Sequence, residues 1–420
     1  MIDVKANKNR ALSFVQIKDT VILATGSFGL SFMLSVYALT IPRLLIENHV
    51  PSALINIFVF SELLFFALFS PFFSYLFDIT RTAIGRRTPY LIMFGITSAF
   101  LVTFIQKNPD GSLMSVLSVI LLFNFSLFLY SISFFGLALD KTTYQMKFLL
   151  PFHLIFSGFL GVILSYFYMM NSENIELGIE TPVSGFIFLL SALAVSFFII
   201  EDKKYKTKLS KTERREYNFK LKNLFNLSGF EKSDLIKLII LGIVYSHEIF
   251  IAELLSSTSF RKIVFGQLLF VTAVGLSYCL CIFSKKISEF SEKSRSVLLI
   301  VLSLLYFLYS FSSVSTILFL QFLVGLLWGL IIPKVIGFII PSRSERILFY
   351  KESFEESSNK PKENNLRLAL FEFIILSILG FITSIIGSRN VNLIYSLVAL
   401  CLFILSLSKK LSVSKGSENI

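Results

Sequence analysis

Ionisable side chains stand inside long apolar stretches of this chain, where they could bind and release protons. Glu248 follows His247 in one stretch, and Glu62 lies near the middle of another. An ionised side chain at mid-membrane depth costs roughly 2.5–3.5 kcal/mol on insertion scales, so each is a functional hypothesis by default. A desolvated carboxyl beside a histidine can exchange protons, which makes Glu248 with His247 the first proton-exchange candidate and Glu62 the second. The alternative is that these groups only join neighbouring helices.

The composition places these side chains in a membrane protein. Of the 420 residues, 55% are hydrophobic and only 16% are charged, and the mean hydropathy is +0.75. Soluble domains carry about 25% charged residues. The net charge of +12 would suggest a nucleic-acid partner in a soluble protein, but here the charges fall in loops. We therefore expect membrane lipids and no nucleic acid as partners.

Twelve apolar runs have about the length that a membrane-spanning helix needs, roughly 20 residues. The predicted spans are 20–42, 53–77, 89–106, 113–138, 148–170, 183–200, 235–256, 263–284, 297–313, 315–340, 367–387 and 390–408. Positive charge is concentrated on one side of this series, since 33 of the 39 lysines and arginines lie in the termini, in the loops that follow even-numbered spans, or at the first residues of the spans after those loops. By the positive-inside rule both termini are cytoplasmic, and the protein is expected to be a multi-pass protein of the cell membrane.

The longest hydrophilic stretch divides the twelve spans into two equal sets. Residues 1–200 are predicted to form an N-terminal six-helix half, residues 201–234 a basic cytoplasmic linker, and residues 235–420 a C-terminal six-helix half. This layout is typical of carriers whose halves are related by an axis along the membrane normal. The expected fold is an all-α membrane protein, and we expect a monomer. The linker either binds anionic lipid head groups or simply tethers the halves.

A short charged segment, Asp78-Ile-Thr-Arg81-Thr-Ala-Ile-Gly85-Arg86-Arg87-Thr-Pro89, joins the second and third spans. Gly85 permits a tight turn because it has no Cβ. Pro89 suits the first turn of the third span, where a missing N–H has no consequence. The three arginines could hold phosphate head groups or carboxylates of the other half. Contacts of that kind, made in one conformation and broken in another, would act as a gate latch; the alternative is a role in topology alone.

This segment resembles the loop between helices two and three of the major facilitator superfamily. The pattern Asp-x-x-Arg followed by Gly-Arg-Arg-x-Pro is similar in particular to the glycoside–pentoside–hexuronide cation symporters and the sucrose transporters. Phe135-Gly-Leu137-Ala-Leu-Asp140 and the basic Lys147 resemble that group's helix-four segment. The resemblance implies the major facilitator fold, with uptake of a sugar or glycoside together with a cation. The latch candidates in these two segments are Asp78, Arg81, Gly85, Arg86, Arg87 and Asp140.

One departure from the family bears on the coupling ion. Sodium-coupled members carry an acid on helix two immediately before a proline, and here the residue before Pro71 is Ser70. The expected sodium ligand is absent at its usual place. A proton therefore fits this sequence better than sodium, and Glu248 and Glu62 are the residues that could carry it.

Polar and aromatic residues in the spans could orient a polar substrate between the halves. The cavity candidates are Tyr37, Asn124, Tyr130, Tyr245, Gln321 and Trp328. Each alone is more often a helix–helix hydrogen bond than a ligand. Lys334 and Glu372, each one or two turns from the cytoplasm on successive spans, are predicted to form a structural ion pair.

The sequence thus predicts a secondary active transporter, working by alternating access and coupled to protons. Two alternatives stay open: an exporter of hydrophobic or drug-like compounds, and a non-transporting pigment-assembly or sensor protein of the same fold. We expect no enzyme, because the spans hold no metal-ligand spacing and no serine-nucleophile motif. We expect no cofactor and no metal.

Overall fold

The structure is a computed structural model of the chain. It describes residues 14–59, 61–107, 113–141, 149–172, 179–201, 260–283, 295–309, 311 and 316–330. The described part is all-helical apart from one isolated bridge between Thr82 and Gly85. The predicted spans 235–256, 367–387 and 390–408 lie outside it, as do residues 202–234 of the predicted linker.

Ten helices occupy the described residues, and each corresponds to a predicted apolar run. They are α1 (Phe14–Glu47), α2 (Ser52–Val59), α3 (Ser61–Ile79), α4 (Thr88–Lys107), α5 (Leu113–Asp140), α6 (Leu149–Ser172), α7 (Glu180–Phe198), α8 (Phe260–Phe283), α9 (Arg295–Tyr309) and α10 (Thr316–Leu330). The predicted run 53–77 contains both α2 and α3. By length and composition α1, α4, α5, α6, α7 and α8 could each cross a membrane. Apart from their ends, helices satisfy their backbone groups internally, which the hydrocarbon requires.

Close contacts at glycines show how the first helices run against one another. A Cβ at Gly29 of α1 would meet Ser191 of α7, and one at Gly26 would meet Val195, so these two helices are antiparallel. Ser157 of α6 donates to the carbonyl of Ala24 at 2.5 Å. Four residues further along each helix, a Cβ at Gly161 would lie 2.5 Å from the carbonyl oxygen of Phe28, so α1 and α6 are parallel.

The helices α8 and α10 pack in the same way. A Cβ at Gly325 of α10 would lie 2.5 Å from the carbonyl oxygen of Phe270, and one at Gly329 would lie 2.5 Å from that of Val274. Both contacts keep the same offset along the two helices, which means that the helices are parallel. Small residues let membrane helices approach this closely.

Two large apolar clusters fill the interior. The first unites α1, α4, α5 and α7, with Phe123, Phe134 and Phe188 at its centre. The second joins α1 and α6 to α8, α9 and α10, so it links helices that lie before and after the predicted linker. Phe159 of α6 contacts Tyr278 of α8 in this second region, with ring centroids 5.8 Å apart. Many large apolar side chains, mostly Phe, Leu, Ile and Val, are exposed in the described part, as expected of surfaces that face lipid.

Candidate functional site

The charged segment after α3 folds into a tight turn that depends on Gly85. Thr82 and Gly85 exchange two backbone hydrogen bonds of 3.1 and 3.2 Å, and the Thr82 hydroxyl donates to the Gly85 carbonyl. Gly85 has φ of 129°, a conformation that disfavours residues with a Cβ. The turn that the sequence predicts at Gly85 is therefore present. Pro89 lies in the first turn of α4, also as predicted.

The carboxylate of Glu201 holds the start of α4. One of its oxygens accepts from the backbone N–H of Arg86 at 2.9 Å. The other accepts from the N–H groups of Arg87 and Thr88, both at 2.8 Å, and from the Thr88 hydroxyl at 2.8 Å. The first N–H groups of a helix have no partner within it, and an acid there also meets the positive end of the helix dipole. Glu201 follows α7, so it joins the end of α7 to the start of α4.

Asp140, the last residue of α5, pairs with two arginines of the same segment. Its oxygens lie 2.6 Å from Nη2 of Arg86 and 3.1 Å from Nε of Arg87. The side chains of Arg86 and Asp140 are only 9% and 12% exposed. Burial alone would raise the pKa of the Asp140 carboxyl, but the charges of Arg87 and Arg86 and their hydrogen bonds outweigh it and hold that pKa below its ordinary value.

Gly136 makes room for this pairing. It lies one helical turn before Asp140 on α5, and the Arg87 guanidinium rests where a side chain at Gly136 would stand. Lys141 extends the network, since its Nζ donates to the carbonyl of Ile200 at 2.5 Å and lies 3.9 Å from a carboxylate oxygen of Asp19.

Four of these residues form one unit that ties the ends of α4, α5 and α7 together. We call them the ionic brace; they are Arg86, Arg87, Asp140 and Glu201.

A second polar cluster lies within the spans. The Asn124 amide on α5 donates to the Tyr37 hydroxyl of α1 at 2.9 Å and to Ser61 of α3 at 2.8 Å. It also reaches the carbonyl of Phe58 on α2 at 2.7 Å. Tyr37, Asn124 and Ser61 are all buried. We call these three residues the junction cluster.

Glu62 lies next to the junction cluster. The Ser131 hydroxyl on α5 donates to its carboxylate at 3.2 Å. Glu62 is in the first turn of α3, within the predicted span 53–77. Glu62 therefore stays the proton candidate that lies within the described residues.

Two further cavity candidates are on the helices that follow the predicted linker. Trp328 of α10 is buried, and its indole N–H donates to the Tyr306 hydroxyl of α9 at 3.0 Å. Gln321 is fully buried, with its Oε1 packed against Gly266 of α8. Neither amide atom of Gln321 has a hydrogen-bond partner among the described residues.

The structure brings some of the predicted site residues together. Arg86 and Arg87 meet Asp140 in the brace, and Tyr37 meets Asn124 in the junction cluster. Tyr130 is fully buried between Phe134 and Phe188. Arg81 donates to the carbonyl of Thr80 at 3.0 Å. Outside the described part lie Tyr245, His247, Glu248, Lys334 and Glu372 and the side chain of Asp78.

Four residues of these sites were not among the sequence candidates. Glu201 is the first acid after the sixth predicted span, and Gly136 is four residues before Asp140. Their places in the sequence therefore gave a weak indication that they belong to the site. Ser61 and Ser131 gave none, because serines are frequent in the spans. In the described part of the chain, no group of three or more His, Cys, Asp or Glu side chains could hold a metal ion.

No family model and no curated protein sequence matches the chain. Solved structures do. The crystal structures of the nucleoside transporter NupG and of a point mutant of it each align with a TM-score of 0.61 and 14% identity, over 94% of this chain and 99% of theirs. The human organic anion transporter MFSD10 (TETRAN) aligns with a TM-score of 0.54 and 13% identity, over 93% of this chain and 99% of its own. The chain therefore has the major facilitator fold.

Proposed function

We propose that this protein is a secondary active transporter that moves a small polar solute across the membrane by alternating access, driven by protons. The observation that carries the proposal is the hydrogen bond between Ser131 and the carboxylate of Glu62, beside the junction cluster. The sequence-predicted span 53–77 places this acid near the middle of the membrane. The fold supports transport in general, since the structures it matches are transporters. The solute class, sugar- or glycoside-like, rests on the resemblance of the Asp78–Pro89 segment.

Glu62 gives a physical route for coupling. Its ionised form is costly within the hydrocarbon, whereas its protonated form is neutral and can donate a hydrogen bond. A conformation that exposes Glu62 to one side of the membrane favours one form, and a conformation that buries it favours the other. A proton can drive the exchange between them only through this difference in affinity. Movement of one proton through 100 mV releases about 2.3 kcal/mol.

Within this proposal, the ionic brace keeps the first half in one piece as it moves. The brace joins helices that are far apart in sequence through buried ionic and backbone contacts. A rocking carrier needs halves that rotate without internal deformation. The proposed latch role of Asp78 and Arg81 concerns contacts with the second half, and the brace would hold the segment that presents them.

Uptake by reconstituted protein tests the proposal. Proteoliposomes are given an inward proton gradient and a panel of radiolabelled sugars, glycosides and nucleosides. We expect at least one solute to accumulate in the wild type and to lose its dependence on the gradient in Glu62→Gln. The matched control is Glu47→Gln, an exposed acid at the end of α1. Accumulation by Glu62→Gln that still follows the gradient would reject Glu62 as the proton site.

An exporter of hydrophobic compounds is the second candidate. One observation favours it: α3 and α5 meet through a cluster of phenylalanines, which are Phe65, Phe66, Phe73, Phe77, Phe125 and Phe128. If another conformation exposed these rings, they would offer an apolar solute favourable contacts. Proton-dependent efflux of a lipophilic dye from the same vesicles, without uptake of any polar solute, would identify this function. A non-transporting protein would show flux of neither kind.

A further inference from the structure

The backbone carbonyl of Phe58, in the second predicted span, accepts hydrogen bonds from two side chains. The helix α2 ends at Val59 and α3 begins at Ser61. The Phe58 carbonyl accepts from the Asn124 amide at 2.7 Å and from the Ser61 hydroxyl at 2.9 Å. A carbonyl near the end of a helix needs donors of this kind where no water is present. Two side chains therefore supply the hydrogen-bond donors that lipid lacks.

Asn124 is the centre of this arrangement. A carbonyl oxygen can only accept, so the nitrogen of the amide must be the atom that faces Phe58. The same nitrogen lies 2.9 Å from the Tyr37 hydroxyl and 2.8 Å from Ser61, so three acceptors share its two hydrogens. One side chain thus connects α5 to α1, to the end of α2 and to the start of α3. Asn124 and Tyr37 are 1% and 3% exposed, so they are shielded from a solute in this conformation.

Two contacts set the position of Glu62. It follows Ser61, which Asn124 holds, and its carboxylate accepts from Ser131. Asn124 and Ser131 are seven residues apart, which is two turns, so they lie on the same face of α5. The titratable group that faces Glu62 from α1 is Tyr37, whose hydroxyl lies within range of the charge of Glu62. The groups that α5 presents, Asn124 and Ser131, do not titrate.

We infer that Asn124 is a positioning residue for the proton site. Its amide fixes the end of α2 and the start of α3, and this fixes the direction and the burial of Glu62. The inference rests on the proposed function, because it assigns Asn124 a role through Glu62 rather than contact with the solute. It also assigns Tyr37 to the same support, as the hydroxyl that anchors the amide to α1.

Hydrogen bonds that only join helices would give the same contacts, so the test measures the protonation of Glu62 itself. Dicyclohexylcarbodiimide reacts with protonated carboxyls in apolar surroundings, and the carboxylic acid adds across the reagent to leave a stable acylurea. The full chain is labelled in lipid nanodiscs between pH 5 and pH 9, and modification of Glu62 is measured by mass spectrometry. No substrate is needed.

The variants are Asn124→Ala and Tyr37→Phe, with Ser126→Ala as the matched control. Ser126 is also on α5, but its hydroxyl bonds Ser98 and the carbonyl of Phe94 on α4. We expect the pH midpoint of Glu62 labelling to change by about half a pH unit or more in Asn124→Ala and Tyr37→Phe, because loss of the amide anchor changes the direction and the burial of the carboxyl. The control should keep the wild-type midpoint.

The possible results distinguish the role of Asn124 from the proton site itself. Wild-type midpoints in both variants would overturn the inference and leave the proton site intact. If Asn124→Ala does not fold, Tyr37→Phe decides alone. Absence of Glu62 labelling in the wild type at every pH would overturn the proton site and the inference together.

Discussion

The carboxylate of Glu201 accepts a 2.9 Å hydrogen bond from the backbone N–H of Arg86, 115 residues earlier in the chain. This bond joins the residue that follows α7 by three positions to the charged segment just before α4. It also places the start of the predicted linker against the charged segment, since that linker begins at Glu201. A change at Glu201 should therefore affect the stability of the helices that precede it.

Replacement of Glu201 tests the brace at its helix-capping end. Glu201→Gln keeps the shape of the side chain but removes the charge and turns one acceptor into a donor that faces N–H groups. Loss of buried hydrogen bonds to a charged group costs roughly 1–3 kcal/mol. We expect a lower midpoint of thermal unfolding in detergent. Glu47→Gln is the control, because Glu47 is in an exposed ion pair, and such pairs contribute about 0–1 kcal/mol. Equal midpoints for the two variants would contradict the capping role.

Because Asp140 is ionised and paired with two arginines, we expect the stability of the fold to depend on pH. The pKa of Asp140 is lower in the folded protein than its ordinary value of 3.8, so the ionised form stabilises the fold. That contribution is fully present above about pH 4 and is lost as the pH falls through the folded-state pKa. Asp140→Asn should lower stability by roughly 3–5 kcal/mol near neutral pH, because two guanidinium groups lose their buried counter-charge.

The corresponding measurement is the unfolding midpoint of wild type and Asp140→Asn between pH 3 and pH 7. The difference should be constant above pH 5 and should shrink below pH 4. A difference that stays the same down to pH 3 would show that the charge of Asp140 does not act in the folded state.

Two glycines are expected to respond differently to replacement by alanine. A Cβ at Gly325 would lie 2.5 Å from the carbonyl oxygen of Phe270, so α10 must move away from α8 in Gly325→Ala. At Gly275 the nearest atom is a ring carbon of Phe159 at 3.8 Å, which is ordinary contact. We expect a clear loss of thermal stability in Gly325→Ala and little change in Gly275→Ala. Similar midpoints would reject the close α8–α10 packing.

Much of the fold could be predicted from the sequence because membrane spans are long and apolar. All ten described helices fall on predicted runs, and Gly85 and Pro89 have their expected places. The partner that each charged or polar side chain contacts could not be predicted. Arg86 could have faced lipid phosphate, the second half or Asp140, and only the distance between α4 and α5 selects Asp140. Ser61 and Ser131 gave no signal because their role comes from the neighbours that packing supplies.

Trp328 gives an optical test of the packing between α9 and α10, because it is the single tryptophan of the chain. It is buried and bonded to Tyr306, so its emission should be blue-shifted and poorly quenched by acrylamide. Tyr306→Phe removes the acceptor and leaves a buried indole N–H without it, which costs roughly 1–3 kcal/mol. We expect changed emission and lower stability in that variant. Emission typical of an exposed indole in the wild type would contradict this packing.

In the proposed mechanism solute and proton move together, and Glu62 carries the proton. The most direct measurement is the internal pH of proteoliposomes loaded with pyranine, after addition of a solute that the wild type accumulates. We expect acidification of the interior with wild-type protein and none with Glu62→Gln, although that variant still binds the solute. Uptake by the wild type without any change of internal pH, or acidification by Glu62→Gln at the wild-type rate, would contradict the mechanism.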